Sequence, residues 1–100
     1  MIIDVVHVKD FGKQNKVVDD DTLYVYCGRP GRLGNPYPMK TEKDRLKVVN
    51  EFRNDPSSRI LVNEFRQWLQ QHTWASNLKL GCYCHPKPCH CDVIKEWLEN

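Results

Sequence analysis

Thr22-Leu23-Tyr24-Val25-Tyr26-Cys27-Gly28 is the stretch on which the fold turns. It alternates, with Leu23, Val25 and Cys27 on one face and Tyr24 and Tyr26 on the other, the period-2 pattern of a strand. Gly28 ends it. Gly28 to Pro38 then holds three glycines and three prolines, punctuation too dense for helix or strand, so a shaped loop follows. Beyond the loop, Leu46, Val49 and Phe52, with Val48, recur at helical spacing in a charged stretch that starts near Thr41. Thr41 and Asp44 have the form of a capping box with Asp in place of Glu. Asp55-Pro56-Ser57-Ser58 offers an N-cap and an N1 proline to a second helix, along which Leu61, Phe65, Trp68, Leu69 and His72 share a stripe. Leu78 and Leu80 alternate with Lys79 and lead into Gly81-Cys82-Tyr83-Cys84, a strand that runs straight into a cysteine cluster.

Two helices between these strands make a connection long enough for a parallel crossover. Parallel strands end at the same edge of a sheet, so the loop after Gly28 and the cluster after Gly81 are expected to face one crevice. Outward of this unit, Ile2, Ile3, Val5, Val6 and Val8 form a β-branched run that predicts a further strand. Lys9 to Asp21 reads as a surface loop or short hairpin arm. Asp92 to Leu98 predicts a terminal helix with Ile94, Trp97 and Leu98 on one face and Asp92 at its positive end. The expected architecture is a small Rossmann-like α/β domain, a three-stranded or larger, mainly parallel sheet covered by helices. One hundred residues leave room for one core, so residues 1–100 form a single domain.

Composition narrows the function classes. Forty per cent apolar and 28 per cent charged residues is a globular mixture, and no apolar run approaches the roughly 20 residues that cross a bilayer. MIIDVVHV lacks a basic leader and a small-residue cleavage site, so it reads as a strand and not a signal. Fifteen basic against 13 acidic residues give a net charge of +2, which does not indicate a nucleic-acid partner. Four of the five cysteines crowd into ten residues, a poor framework for disulfides and a better fit to a reducing cytoplasm.

Gly28-Arg29-Pro30-Gly31-Arg32-Leu33-Gly34-Asn35-Pro36 stands between strand and helix, where backbone N–H groups hold anions. Arg29 and Arg32 offer guanidinium charge for phosphate or carboxylate, the glycines allow close approach, and Asn35 offers an amide to a base or sugar edge. The plainer reading is a rigid turn, with Asn35-Pro36 as turn initiator. Cys82, Cys84, Cys89 and Cys91 form CxCx4CxC with His85 and His90 inside the span. Three readings stay open. Tetrahedral zinc could use these sulfurs, with a histidine replacing one, although the spacing is not the CxxC knuckle. Cys89 could be a nucleophile at a helix N-terminus, with His90 as general acid or base and Asp92 orienting it. The cysteines could also be small core hydrophobes in a proline-stiffened turn. Cys27, on the face of Leu23 and Val25, reads as core.

The combination of GRP, LGNP and the C-terminal CxCxPxxCHxD resembles an uncharacterised family of small bacteriophage and bacterial domains, a domain of unknown function. The resemblance covers Tyr26 to Pro36 and Leu80 to Ile94, and the intervening helices match in general character. It implies shared positions at Gly28, Arg29, Pro30, Leu33, Gly34, Asn35, Pro36, Cys82, Cys84, Pro86, Cys89, His90 and Asp92. In that family the position of Cys27 is usually aliphatic and that of Cys91 usually small. A site common to the family then requires neither thiol, which favours Cys82, Cys84, Cys89 and His90 as metal ligands.

Together these readings lead to an expected site for a small anionic, nucleotide-like ligand, held by Gly28, Arg29, Pro30, Arg32, Leu33, Gly34 and Asn35, with Cys89, His90 and Asp92 facing base or sugar. As an enzyme it would be a transferase or hydrolase. As a binding module it would sequester a nucleotide signal in a bacterial or phage-infected cytoplasm. A zinc-stabilised interaction module is the reading from a different class.

Overall fold

The computed structural model describes residues 1–100. Four strands, β1 (Ile2–His7), β2 (Lys16–Asp19), β3 (Thr22–Tyr26) and β4 (Asn77–Cys82), form one sheet in the order β1-β4-β3-β2. β4 pairs in parallel with β1 and with β3, placing Val25 opposite Leu80 and His7 opposite Cys82. Only β2 runs antiparallel, as the outer arm of a hairpin with β3. The chain between β3 and β4 carries a short 3-10 turn (Glu42–Asp44) and the helices α2 (Arg45–Asn54) and α3 (Pro56–Leu69); α1 (Val8–Phe11) follows β1, and α4 (His90–Glu99) closes the fold. The mainly parallel α/β sheet expected from the sequence is therefore present.

The alternation in β3 sorts two cores. Leu23, Val25 and Cys27 join Ile3, Leu78, Leu80 and Cys82 beneath Phe52, Val62, Phe65, Val93, Ile94 and Trp97 from the three long helices. Tyr24 and Tyr26 point to the other face, where they pack with Val8 and Phe11. All three long helices thus cover one face, and the other is closed only by α1 and tyrosine rings, so the helical covering is one-sided. Gly81 makes this possible: a Cβ there would lie 1.9 Å from the Tyr24 hydroxyl, so the phenol can cross β4 only over glycine. The Tyr24 hydroxyl ends its crossing by donating to the Gly12 carbonyl at 2.7 Å.

Helix starts follow the sequence unevenly. Asp55 caps α3 as expected, accepting from the Ser57 N–H at 2.9 Å with Pro56 in the first turn. Thr41 makes no side-chain cap; the 3-10 turn intervenes and α2 begins only at Arg45. Its buried pair is Val48 and Phe52, whereas Leu46 is 64 % exposed. At about 100° per residue, Leu46 lies about 120° around the helix from Phe52, while Val48 lies within about 40° of it. α3 stops at Leu69, so His72 stacks on Trp68 from beyond the helix rather than extending its stripe. No helix is long and apolar enough to cross a membrane.

Candidate functional site

β3 and β4 end at the same edge of the sheet, and the two sequence motifs that follow them line a single cleft of about 240 Å3 there. Gly28, Arg29 and Asn35 come from one motif; Cys82, Cys84, Cys89 and His90 come from the other. The shared crevice expected from the parallel crossover exists.

The loop is shaped by its own side chains. Arg29 donates from Nε to the Asn35 carbonyl at 2.7 Å and from Nη2 to the Tyr37 carbonyl at 3.0 Å. Buried Asn35 accepts from the Tyr37 N–H at 2.9 Å and donates to the Val48 carbonyl at 3.2 Å, tying the loop to α2. The Tyr26 hydroxyl donates to the Arg29 carbonyl at 2.6 Å, and a Cβ on Gly28 would meet that same hydroxyl at 2.3 Å, which explains glycine at the strand end. Arg29 therefore spends two of its five donors on the loop and leaves Nη1 without a protein partner, while the residue lines the cleft. Asn35 braces the loop with one amide N–H and its oxygen, and it lines the cleft.

His90 joins the two motifs. Its Nε2 lies 2.8 Å from the carbonyls of both Cys27 and Leu33, and its ring meets Phe52 edge-on at 5.2 Å. Two carbonyls facing Nε2 require it to carry the proton. No buried side-chain nitrogen or oxygen lacks a partner, so Nδ1, which bonds no protein group, keeps some solvent access in a residue that lines the cleft. Burial holds the imidazole below the ordinary histidine pKa, against the pull of the Leu33 and Cys27 carbonyls. A neutral ring thus presents one acceptor, Nδ1, to whatever enters.

Sulfur gathers behind it. The Sγ atoms of Cys82, Cys89 and Cys91 lie within 4.8 Å of one another, all three residues buried, with Cys82 and Cys89 in contact at 3.2 Å. This group is able to hold a metal ion. It is not the expected set of Cys82, Cys84, Cys89 and His90: Cys91 takes part, Cys84 sits half-buried against the Arg45 guanidinium, and His90 is turned to its two carbonyls. Hydrogen bonds from the Cys89 and Cys91 thiols, and from the backbone N–H of His85 at 3.3 Å, push the Cys82 thiol well below the usual range. Cys89, hydrogen-bonded to Cys82 and buried, is pushed up, and Cys91 is pushed up by its contact with Cys27.

Several predicted residues stand elsewhere. Arg32 pairs with Glu64 of α3 at a different cleft, about 400 Å3, lined by α3, the end of β3 and the Lys13–Asn15 segment. That cavity is larger, but its arginine is matched by a carboxylate and no residue of the Cys/His segment reaches it. Leu33 is core and contributes only its carbonyl; Pro30 is exposed, and Gly34 packs against Arg29. Asp92 accepts from the Cys89 N–H at 3.0 Å, capping α4 rather than orienting His90. Conversely, the sequence reading passed over Tyr37, Met39, Arg45 and Tyr83, all of which line the cleft. Arg45 donates to both Glu42 carboxylate oxygens, at 2.9 and 2.7 Å, and to the Pro88 carbonyl at 3.1 Å, stapling α2 to the Cys84–Pro88 turn. Only Tyr83 carried a signal, its place inside the cysteine motif.

No curated protein and no solved structure matches the chain. Residues 12–100 match the model of a family described as Domain of unknown function (DUF4326), a span that contains both cleft motifs and the crossover between them. With that span matched, the chain belongs to the DUF4326 family.

Proposed function

We propose that the domain binds a small, anionic, nucleotide-like ligand in the cleft between the Gly28–Pro36 loop and the N-terminus of α4. The observation that carries this reading is the lining itself: Arg29 and Arg45 are its only Lys, Arg, Asp or Glu residues, and no carboxylate faces it. Arg45 is neutralised by Glu42, so Arg29 is the uncompensated cation. The remaining walls are apolar or aromatic, with Tyr37, Met39, Val48 and Tyr83 among them, which suits a planar ring beside an anion. Nδ1 of His90 is the acceptor for a ring N–H or sugar hydroxyl. A cavity of about 240 Å3 falls below the roughly 300–1,000 Å3 of drug-sized sites, so a single nucleoside unit fits better than a dinucleotide. Binding is the primary role in this reading; turnover by a transferase or hydrolase reaction is an outcome of the test.

The test is calorimetric titration with nucleosides and their mono-, di- and triphosphates, paired with chromatography for products. A phosphorylated nucleoside is expected to bind at least about tenfold more tightly than its parent, and Arg29→Gln to remove most of that difference, because a hydrogen bond to a charged group contributes about 1.5–3 kcal/mol. Product formation makes the domain an enzyme. No saturable binding up to ~1 mM, about 4 kcal/mol of affinity, rejects the ligand class.

A second reading, a zinc-stabilised domain, is favoured by the closeness of Cys82, Cys89 and Cys91. Zinc suits soft sulfur donors, and metal analysis of protein purified without added metal tests it: less than a tenth of an equivalent of zinc or iron counts against it.

A further inference from the structure

We infer that the sulfur group and the cleft are one site: Cys82, Cys89 and Cys91 bind a thiophilic d10 ion such as Zn2+, whose fourth coordination position opens into the cleft. This rests on the metal reading above and goes beyond it, because a structural zinc site is closed by four protein ligands whereas an open site keeps one position for water or a ligand. Zn–S bonds of about 2.3 Å put tetrahedral sulfurs about 3.8 Å apart. Sulfurs already within 4.8 Å, with one pair at 3.2 Å, need move less than about 1 Å to reach that spacing.

Three ligands are what the cluster supplies: exposed His85 does not join the three sulfurs, and the other nearby donors are turned elsewhere. His90 Nε2 serves two carbonyls, and the Asp92 carboxylate caps the Cys89 N–H. Cys84 faces Arg45 across the cleft wall. Cys27 touches Cys91 from the core side but directs its own Sγ to the Val25 carbonyl at 3.6 Å. The open direction is set by the same residues: Cys91 is fully buried, whereas Cys82 and Cys89 both line the cleft. A ligand donor atom, or water, reaches the ion only from there. Zn2+ with three thiolates carries one net negative charge, and the group sits where α4 begins, so the helix N-terminus stabilises it.

X-ray absorption on the zinc-loaded full-length protein reads the shell directly: three sulfurs at about 2.3 Å and one oxygen or nitrogen at about 2.0 Å are expected. In the cobalt-substituted protein, imidazole should shift the visible bands by displacing water. Cys91→Ser should weaken zinc at least about tenfold, while Cys27→Ala and Cys84→Ser keep one zinc per chain and the same spectrum. A shell of four sulfurs, or loss of zinc in Cys27→Ala, overturns the open position and leaves a closed site. Failure of the wild-type protein to retain zinc overturns the metal reading itself. Nucleotide titration of metal-free protein separates both results from the fate of the ligand reading.

Discussion

Replacing His90 with phenylalanine isolates the ring that ties the two motifs together. The substitution preserves an aromatic volume against Phe52 and removes one N–H that serves two carbonyls, each 2.8 Å away. A buried acceptor left unsatisfied costs about 1–3 kcal/mol. Because the two carbonyls share one proton, the sum should fall near the lower end, about 2–4 kcal/mol. For a domain of this size that lowers Tm by at least about 8 °C. Urea unfolding followed by tryptophan fluorescence measures it, and His90→Gln, which keeps a donor, should lose less. The pH dependence supplies a second readout. Burial depresses the folded-state pKa of His90 below its ordinary 6.5, so the unfolded chain takes up the proton first as pH falls. The stability associated with a neutral ring is complete above pH 6.5 and is lost as pH drops from there toward the folded pKa. Phenylalanine has no such loss, so the gap between wild type and variant should narrow below pH 6.5. Stability within about 0.5 kcal/mol of wild type at pH 7, or an unchanged gap at low pH, would refute the reasoning.

Three further outcomes test the packing and the site. Gly81→Ala should destabilise by at least about 2 kcal/mol in chemical denaturation, and Tyr24→Phe in the same chain should restore part of it by removing the hydroxyl that stands 1.9 Å from the new Cβ. Arg32→Ala should change stability by less than about 1 kcal/mol, since its pair with Glu64 is solvent-exposed, and should leave nucleotide affinity where Arg29→Gln lowers it. Alkylation mapped by mass spectrometry should mark half-buried Cys84 first; equal labelling of Cys82 or Cys91 in the native protein would contradict their burial.

The sheet was legible because alternation is local: each of Leu23, Val25, Leu78 and Leu80 announces its face by its neighbours. The crossover then placed Arg29 and His90 at one rim without any contact being visible in the sequence. The helix faces were less legible. Leu46 carries the same hydrophobic signal as Val48, and what decides which is buried is the seat of Phe52 in the core, about 40° around α2 from Val48 and about 120° from Leu46. Side-chain partners were least legible. Arg29 and Arg32 look equivalent three residues apart, yet one folds back on its loop and the other reaches α3. Cys84 and Cys91 look equally available to a metal, but the strand ends after Cys82 and α4 turns Cys91 inward.

The position of β4 between β1 and β3 governs the order in which the molecule can assemble. β1 has no partner strand except β4, which begins at Asn77, so it can pair only after the β2–β3 hairpin and both crossover helices have been made. Pairing over that separation carries a loop-closure cost that slows folding. The strand that finally bridges the sheet brings Cys82 with it, so the sulfur site can form only after the sheet has closed and α4 has docked.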